Sequence, residues 1–320
     1  MRKYKLMVLL FLVPAMFYFT GCSTEDNVDE YEVLLEYLEE DDFINTAAPA
    51  IKSAEAVKTD LTSGTQYLID VRSSDAFASG HVDGAVNVPF AELLTHVEGL
   101  TTDYESIVII CYSGQSAAYG ASMLRMLGHD NVYSMAFGMS SWNADFDSWS
   151  GNLKNEYVAD FETTDNSKPE KQKAPEVDTG SDEGRDILKA QVKEMLTMGF
   201  ADAGINASDV VPNSEDYFVI NYWPHADYLN PGHIPGAICY TPKSDLKSTT
   251  YLNTLPTDQT IVVYCYTGQT SAYVTAFLKA LGYDAKSLKF GANGMIYDSM
   301  PGHKFSSEGT IKNYEYVTGN

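Results

Sequence analysis

Cys111-Tyr112-Ser113-Gly114-Gln115-Ser116-Ala117-Ala118-Tyr119 returns 154 positions later as Cys265-Tyr266-Thr267-Gly268-Gln269-Thr270-Ser271-Ala272-Tyr273. Each copy follows a β-branched run, Ile107-Val108-Ile109-Ile110 or Ile261-Val262-Val263-Tyr264. Each then enters an apolar helical stretch that closes in Leu-Gly, at Leu127-Gly128 and Leu281-Gly282. A second block repeats in the same order: Gly80-His81-Val82-Asp83-Gly84-Ala85 recurs as Gly232-His233-Ile234-Pro235-Gly236-Ala237. Two ordered repeats mark an internal duplication. At 320 residues the chain is long enough for each copy to bury its own core.

Hydrophobic periodicity fills in the rest. Val33, Leu34, Tyr37 and Leu38 recur at helical spacing within residues 31–43, and Ser53 is placed to cap a second helix. Strands are expected at 67–71, 86–88, 107–110 and 132–135, with a helix over about 116–127. The second half repeats the order with strands at 217–220, 261–264 and 285–288, after a helix at 187–200. Strands alternating with helices imply an α/β fold, each copy a parallel sheet flanked by helices on both faces. Residues 152–184 are rich in Asp, Glu, Lys, Pro, Ser and Thr and read as a linker.

A net charge of −23 argues against nucleic acid or anionic headgroups as partners. The start is different in kind. Arg2, Lys3 and Lys5 precede fourteen apolar residues at 6–19, interrupted by Pro14 and short of the roughly 20 that a spanning helix needs. The stretch ends in Phe19-Thr20-Gly21-Cys22, which resembles a bacterial lipoprotein signal with Cys22 as the lipidated first mature residue. The expected location is the cell envelope, with the chain held to a membrane by lipid on Cys22.

The remaining cysteines are Cys111, Cys239 and Cys265, an odd number with no CxxC pair, too sparse for a disulfide framework or a thiolate zinc site. A thiol reacts as its thiolate. A loop curling from a strand end into a helix start can aim successive backbone N–H groups at an anion. Gly114 and Gly268 allow the dihedrals such a loop needs, and Ser116 and Thr270 are placed to cap the helices. Cys239 reads either as a buried cysteine or as a disulfide partner for Cys265.

In combination, the loop, the strand Leu68-Ile69-Asp70-Val71-Arg72, the Gly-His-x-x-Gly-Ala block and the closing Gly138-Met139-Ser140-Ser141-Trp142 resemble a tandem rhodanese of lipoprotein type. The resemblance implies sulfur transfer from a donor such as thiosulfate to a thiophilic acceptor through a cysteine persulfide, without metal or organic cofactor. It implies Cys111 and Cys265 as nucleophiles. Tyr112, Ser113, Gly114, Gln115 and Ser116 would bind substrate, as would Tyr266, Thr267, Gly268, Gln269 and Thr270, with Arg72 beside them. The implied layout is a signal peptide at 1–21, an acidic tether and leading helix at 22–45, domains at 46–151 and 185–320, and the linker at 152–184.

The copies also differ from the family pattern and from each other. Neither loop contains Lys or Arg, and Tyr112 and Tyr266 stand where many relatives carry a cation. Asp70-Val71-Arg72 becomes Asn221-Tyr222-Trp223, so the second copy loses an acid and a base that also read as a buried brace. Cys111 is therefore the leading candidate. A catalytically weak scaffold module is the alternative.

Overall fold

The computed structural model describes residues 28–40, 42–46 and 49–319; the expected signal segment at 1–21 and Cys22 lie outside them. Two five-stranded sheets carry the fold. The first comprises β1 (Ile51–Lys52), β2 (Gln66–Asp70), β3 (Val86–Asn87), β4 (Ser106–Ile110) and β5 (Val132–Met135) in the order β1-β5-β4-β2-β3. The second comprises β6 (Gly204–Ile205), β7 (Phe218–Asn221), β8 (Ile238–Cys239), β9 (Ile261–Tyr264) and β10 (Ala285–Leu288) in the order β6-β10-β9-β7-β8. All pairings within the sheets are parallel. The central strands β4 and β9 are buried throughout, which is why they read as unbroken apolar runs.

The edge strands β1, β6 and β8 have no counterpart in the sequence reading. Each is only two residues long, too short to carry a period. The helix expected at 187–200 runs from Gly184 to Ala203 and breaks at Gly199, whose φ is 70°.

The copies face each other through their post-cysteine helices, Gln115–Met126 and Gln269–Ala280. Ala117, Ala118, Gly120 and Ala121 keep the first helix thin, so backbones approach closely: the Ser122 hydroxyl donates to the Tyr273 carbonyl at 2.8 Å. Phe43 stacks on Tyr273 at 5.4 Å and Tyr119 tilts against Phe200 at 5.7 Å, so one hydrophobic core spans both copies. A ring cluster of Phe137, Trp149, Phe290 and Phe305 closes the same interface nearer the cysteine loops.

Chain segments cross between the copies. Residues 154–162 lie on the second copy, where Lys154 N donates to the Asn293 carbonyl and Glu162 forms an antiparallel bridge with His233. The last residues return to the first copy: Lys312 and Tyr314 donate to the carbonyls of Ser141 and Trp142, and Val317 bridges His81. Each copy is thus edged by a segment that follows the other. The stretch read as a linker is hydrogen-bonded along its first part.

Candidate active site

Each cysteine stands at the carboxyl end of its sheet's central strand, four residues before the first residue of a helix. The loop closes because Gly114 and Gly268 occupy the helix N-cap with φ of 84° and 76°, a left-handed conformation that favours glycine. Ser116 and Thr270 therefore do not cap these helices, contrary to the sequence expectation: the helices begin at Gln115 and Gln269, and no side-chain cap forms. A second glycine supports each loop from below. A Cβ on Gly138 would lie 2.3 Å from the Cys111 carbonyl, and one on Gly291 would lie 2.2 Å from that of Cys265. The bare backbone there lets Met139 N reach Cys111 O at 2.8 Å and Ala292 N reach Cys265 O at 3.0 Å.

The amides converge on sulfur. Cys111 Sγ accepts from Gly114 N at 3.1 Å and from Ala117 N at 3.4 Å. Cys265 Sγ accepts from Ser271 N at 3.3 Å, and its thiol donates to Ser271 Oγ at 3.7 Å. That hydroxyl shares a 2.8 Å hydrogen bond with Ser287 Oγ. Ser271 was not singled out from the sequence, although the repeat itself shows it, since Ala117 holds the same place in the first copy. Backbone donors at a helix start suit negative charge on the sulfur they meet. Both sulfurs are buried at 1% and 2% residue exposure, so reagents must arrive along a defined path.

The copies part company around these loops. In the first, Arg72 is 4% exposed and forms a bidentate pair with Asp70, and its Nη2 also donates to the Gly80 carbonyl at 2.6 Å. Its guanidinium carbon lies 5.7 Å from the centre of the Tyr112 ring. The hydrogen bonds of Arg72 thus go to the protein frame, which gives it the form of a brace behind the loop. In the second copy Asn221 replaces Asp70 and donates to the buried Tyr264 hydroxyl at 2.8 Å. Trp223 replaces Arg72 and stacks on Tyr266 at 4.8 Å. His303 covers the other face of Tyr266 at 4.8 Å, and the Tyr266 hydroxyl donates to Asp227. Burial first, and the Asp227 carboxylate next, hold that hydroxyl well above the usual tyrosine range. Tyr266 is a fixed wall, whereas Tyr112 is 47% exposed.

A cavity of about 520 Å³ opens on Cys265. Tyr266, Thr267, Gln269 and Thr270 line it from the second copy, and Ile51, Ala136 and Phe137 line it from the first. His303 and Lys304 also reach it. They bring a cation to a loop that has none of its own, from a segment whose sequence gives no sign of the role. Cys111 lies outside this cavity.

The two loops are also cross-tied. Gln269 Oε1 accepts from Phe137 N at 2.8 Å, and Gln115 Oε1 accepts from Phe290 N at 2.8 Å. Gln115 Nε2 in addition donates to the Ser113 hydroxyl, and the Trp149 indole donates to the Ser113 carbonyl. Each glutamine starts the helix behind one cysteine and steadies the glycine turn beneath the other. Gln269→Ala is expected to lower stability by about 1–3 kcal/mol, because it strands a partly buried amide. Urea unfolding at constant slope measures this, and an unchanged midpoint would show the tie to be idle.

Cys239 is a free, buried thiol that donates to the Trp223 carbonyl at 3.6 Å; burial pushes its pKa up to about 11. The histidines of the repeated block brace their turns. His81 Nδ1 meets the Phe77 carbonyl at 2.8 Å and His233 Nδ1 meets that of Tyr228 at 2.9 Å. Burial holds His233 below the ordinary histidine range.

Parallel sheets that each deliver a cysteine to backbone N–H donors at a helix start define a duplicated α/β protein built around two sulfur loops. The rhodanese-like domain family matches residues 53–145 and 192–296, and the chain belongs to that family as a tandem of two such domains. It is 37% identical over 76 residues to thiosulfate sulfurtransferase GlpE of Shewanella oneidensis, covering 24% of this chain and 74% of the relative. A thiosulfate sulfurtransferase GlpE of Pseudomonas putida is 32% identical over 79 residues, covering 25% and 71%. The crystal structure of thiosulfate sulfurtransferase from Pseudomonas aeruginosa matches 86% of this chain and 49% of its own, at 15% identity and a TM-score of 0.31.

Proposed function

We propose that the chain is a sulfurtransferase that carries sulfane sulfur from a donor such as thiosulfate to a thiophilic acceptor as a cysteine persulfide. The observation that carries this reading is that backbone amides meet both sulfurs, those of Gly114 and Ala117 at Cys111 and that of Ser271 at Cys265. The thiolate attacks the outer sulfur of thiosulfate and forms a new S–S bond. The donor's own S–S bond breaks, and sulfite leaves with its electron pair. The persulfide anion stays on the cysteine, within reach of the same amide donors. A nucleophilic acceptor then takes the outer sulfur and returns the thiolate.

Mass spectrometry of the chain after incubation with thiosulfate tests this. The gain of one sulfur atom on a peptide containing Cys111 or Cys265, lost on adding cyanide, is the expected result. No such gain with any sulfur donor would falsify the reading. That outcome would favour a binding or scaffold module, which the near-complete burial of both sulfurs also suits.

We also place the protein in the cell envelope, anchored through lipid on Cys22. The basic start, the short apolar run and the small residues before Cys22 support this. Cys22→Ser is the check: export without retention in the membrane fraction is expected, and unchanged retention would refute the anchor.

A further inference from the structure

The cavity over Cys265 is too large and too apolar for a small inorganic anion alone. At about 520 Å³ it falls within the range of sites that enclose whole organic ligands. Ile51, Ala136, Phe137, Pro224 and Pro242 supply much of its wall, and among the described residues no Asp or Glu lines it. Among the described residues that line it Lys304 alone is formally charged, and its ammonium is occupied by the Asp298 carbonyl at 3.0 Å and the Tyr297 ring at 5.5 Å. Tyr266, clamped between Trp223 and His303, cannot swing in to fill the space. The apolar wall persists without a ligand because the first domain builds it: Ala136 is tied to the β1 edge through the Lys52 carbonyl, and Phe137 is held by Gln269.

We propose that the second domain's acceptor is an organic thiol with an apolar body, seated against Ile51, Ala136 and Phe137 with its sulfur toward Cys265. The proposal rests on the sulfurtransferase reading and adds the class of acceptor. In the step, the entering thiol gives its proton to the Cys265 persulfide anion, and the resulting thiolate attacks the outer sulfur. The persulfide S–S bond breaks, a new S–S bond forms on the acceptor, and Cys265 leaves as thiolate. The proton stays with the transferred sulfur, so the products are an organic hydropersulfide and the starting thiolate. No oxidant or reductant is consumed. Acceptor choice is thereby made by the first domain and chemistry by the second.

The test uses the full chain with Cys111→Ser, so that turnover reports Cys265. Thiosulfate is the donor, and cyanide, 2-mercaptoethanol and benzyl mercaptan are the acceptors; the two thiols are similarly basic and differ mainly in apolar bulk. Benzyl mercaptan is expected to show a kcat/KM about tenfold or more above that of 2-mercaptoethanol, the scale of filling an apolar pocket. Ala136→Phe, which narrows the cavity from the first domain's side, is expected to bring that ratio near one. A ratio near one before the substitution overturns the proposal while cyanide turnover upholds sulfur transfer. A ratio that Ala136→Phe leaves intact overturns the placement of the acceptor. Turnover in the unsubstituted chain that Cys111→Ser abolishes also overturns the proposal, since Cys265 is then unused. Absence of turnover with every acceptor in the unsubstituted chain fails the sulfurtransferase reading itself. Should Ala136→Phe fail to fold, the ratio in the Cys111→Ser chain still decides.

Discussion

Serine in place of Cys265 is expected to lower kcat/KM for sulfur transfer by about 10³-fold or more, the scale of losing a covalent nucleophile. Serine at Cys111 is expected to cost only a few-fold. Steady-state cyanide assays of the two variants measure the difference. The reverse order would return the leading role to Cys111, the candidate that sequence alone favours. The asymmetry rests on access and surroundings. Cys265 opens on the cavity, carries the Ser271 hydroxyl on its sulfur, and has a fixed aromatic wall beside it. Cys111 keeps the family-like Asp70–Arg72 pair, but the hydrogen bonds of that pair lie within the frame.

Removing Arg72 is expected to cost stability heavily. Asp70 is wholly buried, and Arg72→Ala leaves its carboxylate without a counter-charge; the expected loss is about 3–5 kcal/mol. The shift of the urea midpoint at constant slope reads it out. A loss under about 1 kcal/mol, the scale of a surface ion pair, would show that water reaches the carboxylate. The second domain displays the alternative solution to the same steric problem, with Asn221, Tyr264 and Trp223 in place of the pair. Replacing Asp70, Ile110 and Arg72 together by Asn, Tyr and Trp is therefore expected to recover part of what Arg72→Ala loses, since a neutral set leaves no buried charge behind.

The sheet cores were legible because they are periodic or unbroken. Val132–Met135, Ile261–Tyr264 and Ala285–Leu288 stand where the apolar runs place them, and Ser53 caps its helix by accepting from Ala56 N at 3.2 Å. The sulfur loops were legible because the chain states them twice. What stayed hidden depends on contacts distant in sequence. Nothing local marks Gln269 as an acceptor for Phe137, 132 residues away, or His303 and Lys304 as cavity residues. The N-cap was misread for a local reason: serine and threonine are favoured caps, but the loop turns two residues earlier, at a backbone angle that favours glycine. The cavity itself could not be read from either repeat, because its walls come from both.

The reciprocal glutamine ties have the form of an isologous two-fold contact, in which each side offers the other the same residue. In a dimer of identical subunits, any change on one side is copied onto the other, so the sites must vary together. Here both sides belong to one polypeptide, and a change stays where it falls. Such a chain keeps the closure of a symmetric pair while one half holds a charged brace and the other an aromatic wall. Symmetry in the seam, and freedom on either side of it, allow a single molecule to give its two cysteines different work.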